Sequence, residues 1–375
     1  MYSRDIEKIV GSWMASPEII ILFGARQVGK STLLEILLSK QDEMIILNCE
    51  NQVISDALQS RDVNRIMALF DGKKIVALDE AQEIPEIGKI LKLLYDDKRI
   101  TQKLIATGSS SFDLANKTGE PLTGRNIKFK LFPLSIHEIA LKKGWINVLE
   151  SMNDLLVYGS YPGIVDLLPS EKKTKLLTMS GDYLFKDIYK FAQLRNPEIL
   201  RKLLKAIALQ LGNLVSIPEL ANLTGVSVIT VERYLDLLEK SFVIFRLGSF
   251  SSNLRNELKK SRKYYFYDNG IRNAVLNNFV SVDERTDIGA LWENFCISEY
   301  LKSNENKGIN SNYYFWRTYD GAEIDLVEER DGKLNAFEFK WNPNKTATIP
   351  ESFKSGYQVN ELKVINRDQL AFFKD

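Results

Sequence analysis

Apolar and polar positions change their rhythm twice along the chain. Over residues 1–150, short uninterrupted apolar runs alternate with longer stretches of helical period. Ile19–Phe23, Glu43–Cys49, Lys73–Glu80, Lys103–Ser109 and Ile127–Phe132 predict strands, the first of them apolar at all five positions and therefore buried on both faces. Ile6, Ile9, Val10 and Trp13 predict a short amphipathic helix, Thr32–Ser39 a second, and a third runs through Ile54–Leu58 and Ile66–Phe70. Strands alternating with helices predict a mostly parallel sheet covered on both faces.

Over residues 151–282 the pattern is mostly helical. The turn-rich stretch Tyr158-Gly-Ser-Tyr-Pro-Gly163 punctuates its start. From Glu171 to Gly212, Leu176, Leu177, Tyr183, Leu184 and Ile188 share one face, and Leu200, Leu203, Leu204, Ile207 and Leu211 another. Ser216–Leu238 reads as helix, turn, helix, with Pro218 in a first turn, Gly225 at the bend and Ser227 as the second cap. Phe242–Leu247 then supplies the first strand of a wing, so this region predicts a winged helix.

In residues 283–375, Ile288–Leu301 predicts a helix and Tyr313–Thr318 a strand. Gly321–Val327 and Lys333–Lys340 form a hairpin around Asp331-Gly332. The expected organisation is therefore α/β, in three domains: 1–150, 151–282 and 283–375.

Composition narrows the class without naming a partner. Of 375 residues, 45% are apolar and 26% charged, ordinary values for a globular protein, and a net charge of +1 exerts no global pull on nucleic acid or membrane. Cys49 and Cys296 are too few and too far apart for a disulfide framework. The opening residues are interrupted by charges, and no apolar run approaches the roughly 20 residues that span a bilayer. These features predict a soluble cytoplasmic protein with no membrane partner.

Candidate chemistry begins after the first strand. Gly24, Ala25, Arg26, Gln27, Val28, Gly29, Lys30 and Ser31, leading into a helix at Thr32, spell GxxxxGK[ST] in the strand–loop–helix context that cradles nucleotide phosphates. Lys30 is expected to reach the terminal phosphates of ATP, and the Ser31 hydroxyl to ligate Mg²⁺. At the end of the Lys73–Glu80 strand, Asp79 would complete the Mg²⁺ shell and Glu80 would orient the attacking water. Ser109 and Ser110 could sense the γ-phosphate, or could cap a helix at Phe112. Arg125 is either an ordinary salt-bridged residue or a finger reaching the nucleotide of a neighbouring subunit in a homo-oligomer. His137, the only histidine, is read as structural.

Two stretches bear on a nucleic-acid partner. The helix from Ser227 to Lys240 sets Arg233 and Lys240 against Glu232, Asp236 and Glu239, a net −1 that favours a structural role over groove reading. Arg255–Tyr267 holds five basic residues, one acid and four aromatics, which suits a nucleic-acid strand or, equally, a hairpin tip followed by a core strand. In the last domain, strand alternation puts Glu338 with Lys340, and Glu323 with Asp325. If Asp325 and Glu338 meet across the hairpin, two like charges about 4 Å apart repel by up to about 4 kcal/mol at an effective dielectric near 20. A divalent cation, a shared proton or Lys340 must offset that.

The spacing of loop, Asp79-Glu80, Thr107-Gly-Ser-Ser-Ser111, Leu122-Thr-Gly-Arg125 and Phe132-Pro-Leu-Ser135 resembles prokaryotic AAA-type P-loop ATPases. More narrowly, the chain resembles a bacterial and archaeal family in which such an ATPase is joined to a C-terminal domain with a restriction-endonuclease-like fold. The resemblance implies a P-loop NTPase fold, then the winged helix, then that nuclease-like α/β domain. In its D…(D/E)xK core, Glu293 would be the helix acid, Asp325 and Glu338 would hold Mg²⁺ or Mn²⁺, and Lys340 would polarise water or phosphate. The usual proline before the first acid is replaced by Ile324. Two functions remain open: an ATP-hydrolysing enzyme acting on DNA through a metal-dependent nuclease-like domain, or a nucleotide-driven switch whose later domains bind DNA or protein without catalysis.

Overall fold

Five consecutive apolar residues can be buried only in the middle of a sheet, and Ile19–Phe23 (β1) is buried at every position. The computed structural model describes residues 1–39, 43–109, 122–183, 197–251, 261–318 and 320–374. Leu184, Ile188, Ser110, Ser111, Phe112 and Arg255–Lys260 lie outside the described residues. β1 is flanked by β2 (Met44–Asn48), β3 (Ile75–Asp79), β4 (Lys103–Gly108) and β5 (Asn126–Lys130) in the order β2-β3-β4-β1-β5, all parallel. Parallel pairing brings the carboxyl ends of β1, β3 and β4 side by side, where a ligand crevice forms.

The helix expected through Ile54 and Phe70 is two helices, Gln52–Gln59 and Val63–Phe70. The Asp62 side chain explains the break, because it caps the second helix by accepting from Asn64 N.

The middle segment contains Ile217–Thr224 and Val228–Lys240, joined by a turn at Gly225 in the left-handed region. After them come β7 (Ile244–Ser249) and β8 (Arg262–Phe266), which pair antiparallel; the short β6 (Leu214–Val215) joins β8. This hairpin does not end the sheet. β7 pairs in parallel with β9 (Asn312–Arg317), followed by β10 (Glu323–Arg330), β11 (Lys333–Lys340) and β12 (Val359–Asn366), giving a seven-stranded sheet β12-β11-β10-β9-β7-β8-β6. Residues 151–282 and 283–375, set out above as separate domains, therefore share one sheet.

The helix Ile288–Asn306 packs on this sheet against β8 and β11. Its 19 residues span about 28 Å, and it buries polar as well as apolar side chains, including Asn294, Glu299 and Lys302. Among the described residues no helix is long and apolar enough to cross a membrane.

Candidate functional site

The loop after β1 is shaped by its two glycines. A Cβ on Gly24 would lie 2.2 Å from the Leu131 carbonyl oxygen, so the chain leaves β1 beside β5 only without a side chain. Gly29 takes φ +94 as the cap of the helix Lys30–Leu38, a backbone conformation that other residues rarely adopt. Ala25 and Val28 are buried, whereas Gln27 is exposed with φ 63. Lys30 is 4% exposed and curls back over the loop, donating to the carbonyls of Gly24 (3.0 Å) and Ala25 (3.1 Å).

At the mouth of the loop a run of hydrogen bonds joins the three strand ends. Ser31 Oγ donates to Asp79 Oδ2 at 2.7 Å, and Thr107 Oγ1 donates to Asp79 Oδ1 at 2.6 Å. Thr107 Oγ1 also accepts from Glu80 N at 3.0 Å, which fixes the peptide of a residue held at φ 52. Gln82 donates to the Glu80 carboxylate and accepts from Ser109 N at 3.3 Å. Ser109 Oγ is buried and finds no hydrogen-bond partner among the described residues. The local potential is negative: burial first, then Asp79, Glu80 and Glu83, push the Cys49 thiol up to about 12. Ser31 and Asp79 are hard oxygen donors in mutual contact, a set that fits Mg²⁺ alongside phosphates and water.

Arg125 precedes β5, and its carbonyl accepts from Ile19 N at 2.9 Å, at the end of the sheet opposite the loop. With β1 five residues long, it stands about 16 Å from the loop along the strand axis and is paired with Asp96 at 2.8 Å. It reaches no phosphate held by its own loop. His137 Nδ1 lies 2.7 Å from Asp5 Oδ1.

A second polar cluster sits on the seven-stranded sheet. The register that sets Leu326 opposite Phe337 brings Asp325 beside Glu338, at a bulge between Ile324 and Val327. Asp325 Oδ2 accepts from Phe339 N at 2.8 Å, and Lys340 Nζ lies 2.6 Å from Glu338 Oε2 and 3.7 Å from Asp325 Oδ2. Glu293, on the helix Ile288–Asn306, accepts from Tyr265 Oη at 2.6 Å and lies 3.5 Å from Lys263 Nζ. Lys263 is 1% exposed and also pairs with Glu323, which Arg317 approaches at 3.4 Å.

Burial, then the charge of Asp325, hold the Glu293 and Glu338 carboxyls well above the usual range. Burial opposes the charge on Lys263 and Lys340, yet the surrounding carboxylates outweigh it and both are raised. Lys263 faces Glu293 and Glu323, Lys340 faces Asp325 and Glu338, and the raised Glu293 and Glu338 carboxyls lessen the charge left to balance. As arranged, the site does not fit a divalent cation unless Lys340 leaves Glu338. Among the described residues, no group of three or more His, Cys, Asp or Glu is placed to hold a metal ion.

Residues 16–140 match the family model of an AAA domain. Residues 149–281 and 288–372 match two domains of unknown function, DUF8612 and DUF4143. An uncharacterised protein of Mycobacterium tuberculosis is 26% identical over 94% of this chain and 77% of its own length. Another, from Haemophilus influenzae, is 25% identical over 88% of this chain and 85% of its own. The Walker-type ATPase PABY2304 of Pyrococcus abyssi superposes with a TM-score of 0.51 at 18% identity, over 74% of this chain and 96% of that one, and so shares the fold.

In residues 16–140 the strand ends bring Lys30, Ser31, Asp79, Glu80 and Ser109 together and leave Arg125 apart. Thr107, Gln82 and Arg4 belong to this neighbourhood and escaped the sequence reading. Thr107 stood in the quoted TGSSS stretch; Arg4 carried no pattern at all. In the second cluster Lys263, Tyr265 and Glu323 were missed as site residues, although Lys263 and Tyr265 alternate onto one face of β8. The described part of the basic–aromatic stretch is not offered to a nucleic-acid strand. Arg262 pairs with Glu232 at 3.2 Å, and Lys263, Tyr264, Tyr265 and Phe266 are buried.

Proposed function

We propose that the protein is an ATP hydrolase whose nucleotide cycle switches a second body, built on the shared sheet, that contacts DNA or protein. The run Ser31–Asp79–Thr107–Glu80 at the mouth of the GxxxxGKS loop carries this reading. Ser31 and Asp79 hold Mg²⁺, which neutralises charge on the phosphates when bound. Lys30 exchanges the Gly24 and Ala25 carbonyls for the terminal phosphates. Glu80 orients the attacking water, and the Ser109 hydroxyl, which has no hydrogen-bond partner among the described residues, senses the γ-phosphate. The purified full chain should hydrolyse ATP with Mg²⁺, and Lys30→Ala should not. A wild-type rate equal to that of the variant would end the proposal.

In the second body, the helix–turn–helix with its hairpin is a winged helix serving as an interaction module. Its turn region exposes Leu223 on the first helix and Val228 and Ile229, the last by 79%, on the second helix of net −1, which suits protein better than a phosphate backbone. A metal-dependent nuclease is the second reading, favoured by Asp325, Glu338 and Lys340 meeting on one face with Glu293 behind them. Plasmid incubated with Mg²⁺ or Mn²⁺, beside a Glu338→Ala control, tests it; no cleavage above that control removes it.

A further inference from the structure

We infer that Arg4 positions the phosphate loop and is the first link of a buried chain of charged side chains that carries the loop's state to the helix Ile288–Asn306. The inference rests on the ATP reading above. Arg4 is 6% exposed and spreads its guanidinium over three partners. Nη1 donates to the Val28 carbonyl at 2.7 Å, Nη2 donates to the Phe132 carbonyl at 2.7 Å, and Nε lies 3.0 Å from Glu138 Oε1. The Val28–Gly29 peptide is trans, so its C=O and N–H point in opposite directions. With the Val28 oxygen held by Arg4, the Gly29 N–H is directed away from the guanidinium, the orientation in which it would be available to a phosphate oxygen. Flipping that peptide would face a carbonyl to the phosphate instead. Arg4 thus sets the sign of one wall of the cradle.

The chain continues from Glu138, which is 1% exposed. Its carboxylate accepts from Asp5 N at 2.8 Å and from Ser135 N at 2.9 Å, within the capping box of the helix Ile136–Lys143. The same helix end is capped from the other side, since Ile136 N donates to Glu299 Oε2 at 2.7 Å. Glu299 pairs with Lys302 at 2.8 Å, and Lys302 reaches Ser160 Oγ at 3.4 Å and the Leu134 carbonyl at 3.5 Å. A movement of residues 132–138 therefore pulls on Glu299 through hydrogen bonds rather than through deformable apolar contacts. Glu293 lies on the same helix, about 9 Å along its axis, and enters the second polar cluster. Apolar residues of similar volume would hold this junction as stably as buried ion pairs do. What the ion pairs add is directional coupling.

Arg4→Lys keeps a positive charge for Glu138 but loses the fork that grips two carbonyls. Calorimetric titration of the full chain with Mg²⁺·ATPγS should show wild-type binding, and binding about 10- to 100-fold weaker in Arg4→Lys with its melting transition retained. Hydrogen exchange over residues 288–306 should respond to saturating ATPγS in wild type and respond less in Arg4→Lys. Glu299→Gln keeps an acceptor for Ile136 N while removing the charge that faces Lys302. It should bind ATPγS like wild type and lose the exchange response. Wild-type affinity in Arg4→Lys, or a full exchange response in either variant, overturns the inference while the ATP reading stands. Wild-type binding no tighter than that of Lys30→Ala overturns both.

Discussion

Thr107 ties the Asp79 carboxylate to the Glu80 peptide in the proposed hydrolysis site, and Thr107→Val isolates its hydroxyl. That hydroxyl is fully buried, donates to Asp79 Oδ1 at 2.6 Å and accepts from Glu80 N at 3.0 Å. Valine keeps the branched shape and loses both bonds. A hydrogen bond to a charged group is worth about 1.5–3 kcal/mol, and a stranded N–H adds to the loss. Were about 2 kcal/mol of this to appear in the barrier, kcat would fall about 30-fold. The Glu80 peptide, held at φ 52, would lose the hydroxyl that pins it. Steady-state hydrolysis at saturating Mg²⁺ reads the effect, with Thr107→Ser as the control that restores the hydroxyl. The serine variant should stay within about threefold of wild type while the valine variant does not. Equal rates for the two would refute the reasoning, because the hydroxyl would then be irrelevant.

Glu80→Gln should retain ATP affinity and lose about 10²- to 10⁴-fold in turnover; loss of binding as well would move Glu80 out of the water-orienting role. Gly24→Ala places a methyl 2.2 Å from a backbone oxygen that cannot swing aside, so it should cost about 3 kcal/mol in denaturant unfolding and abolish nucleotide binding. Burial and Asp325 hold the Glu338 carboxyl up at about 7 against an ordinary 4.5, so the stability this group contributes is full below about 4.5 and is lost as pH rises through about 7. Glu338→Gln escapes that loss. Its melting temperature in EDTA should gain on wild type between pH 5 and pH 8, and an unchanged gap would show that the carboxyl is not held neutral.

The parallel sheet was legible because strands buried on both faces are written as unbroken apolar runs, and the loop because its glycines answer backbone demands that other residues cannot meet. What escaped was tertiary. Nothing local in Phe242–Leu247 says that its free edge will be taken by a strand some 65 residues later, since edge pairing is settled by which sheet lies alongside. Lys263 reads as one more base in a basic stretch, and only the packing of β8 under the helix Ile288–Asn306 turns it into the internal partner of Glu293 and Glu323. Arg4 has no neighbours in sequence to mark it, because its three partners come from residues 28, 132 and 138. Arg125 pairs with Asp96, as its salt-bridged reading expected, and the direction of β5 keeps it from its own loop without bearing on a neighbouring subunit's nucleotide.

The parallel pairing of β7 with β9 bears on how the chain can be taken apart. It consists of Gly248 against Tyr314 and Ser249 against Phe315, extended by Phe250 N donating to the Phe315 carbonyl at 2.7 Å. A protein cut at residue 282 would strip β9 of this partner and β8 of the helix above it. Each fragment would then carry a raw strand edge, a template for self-association.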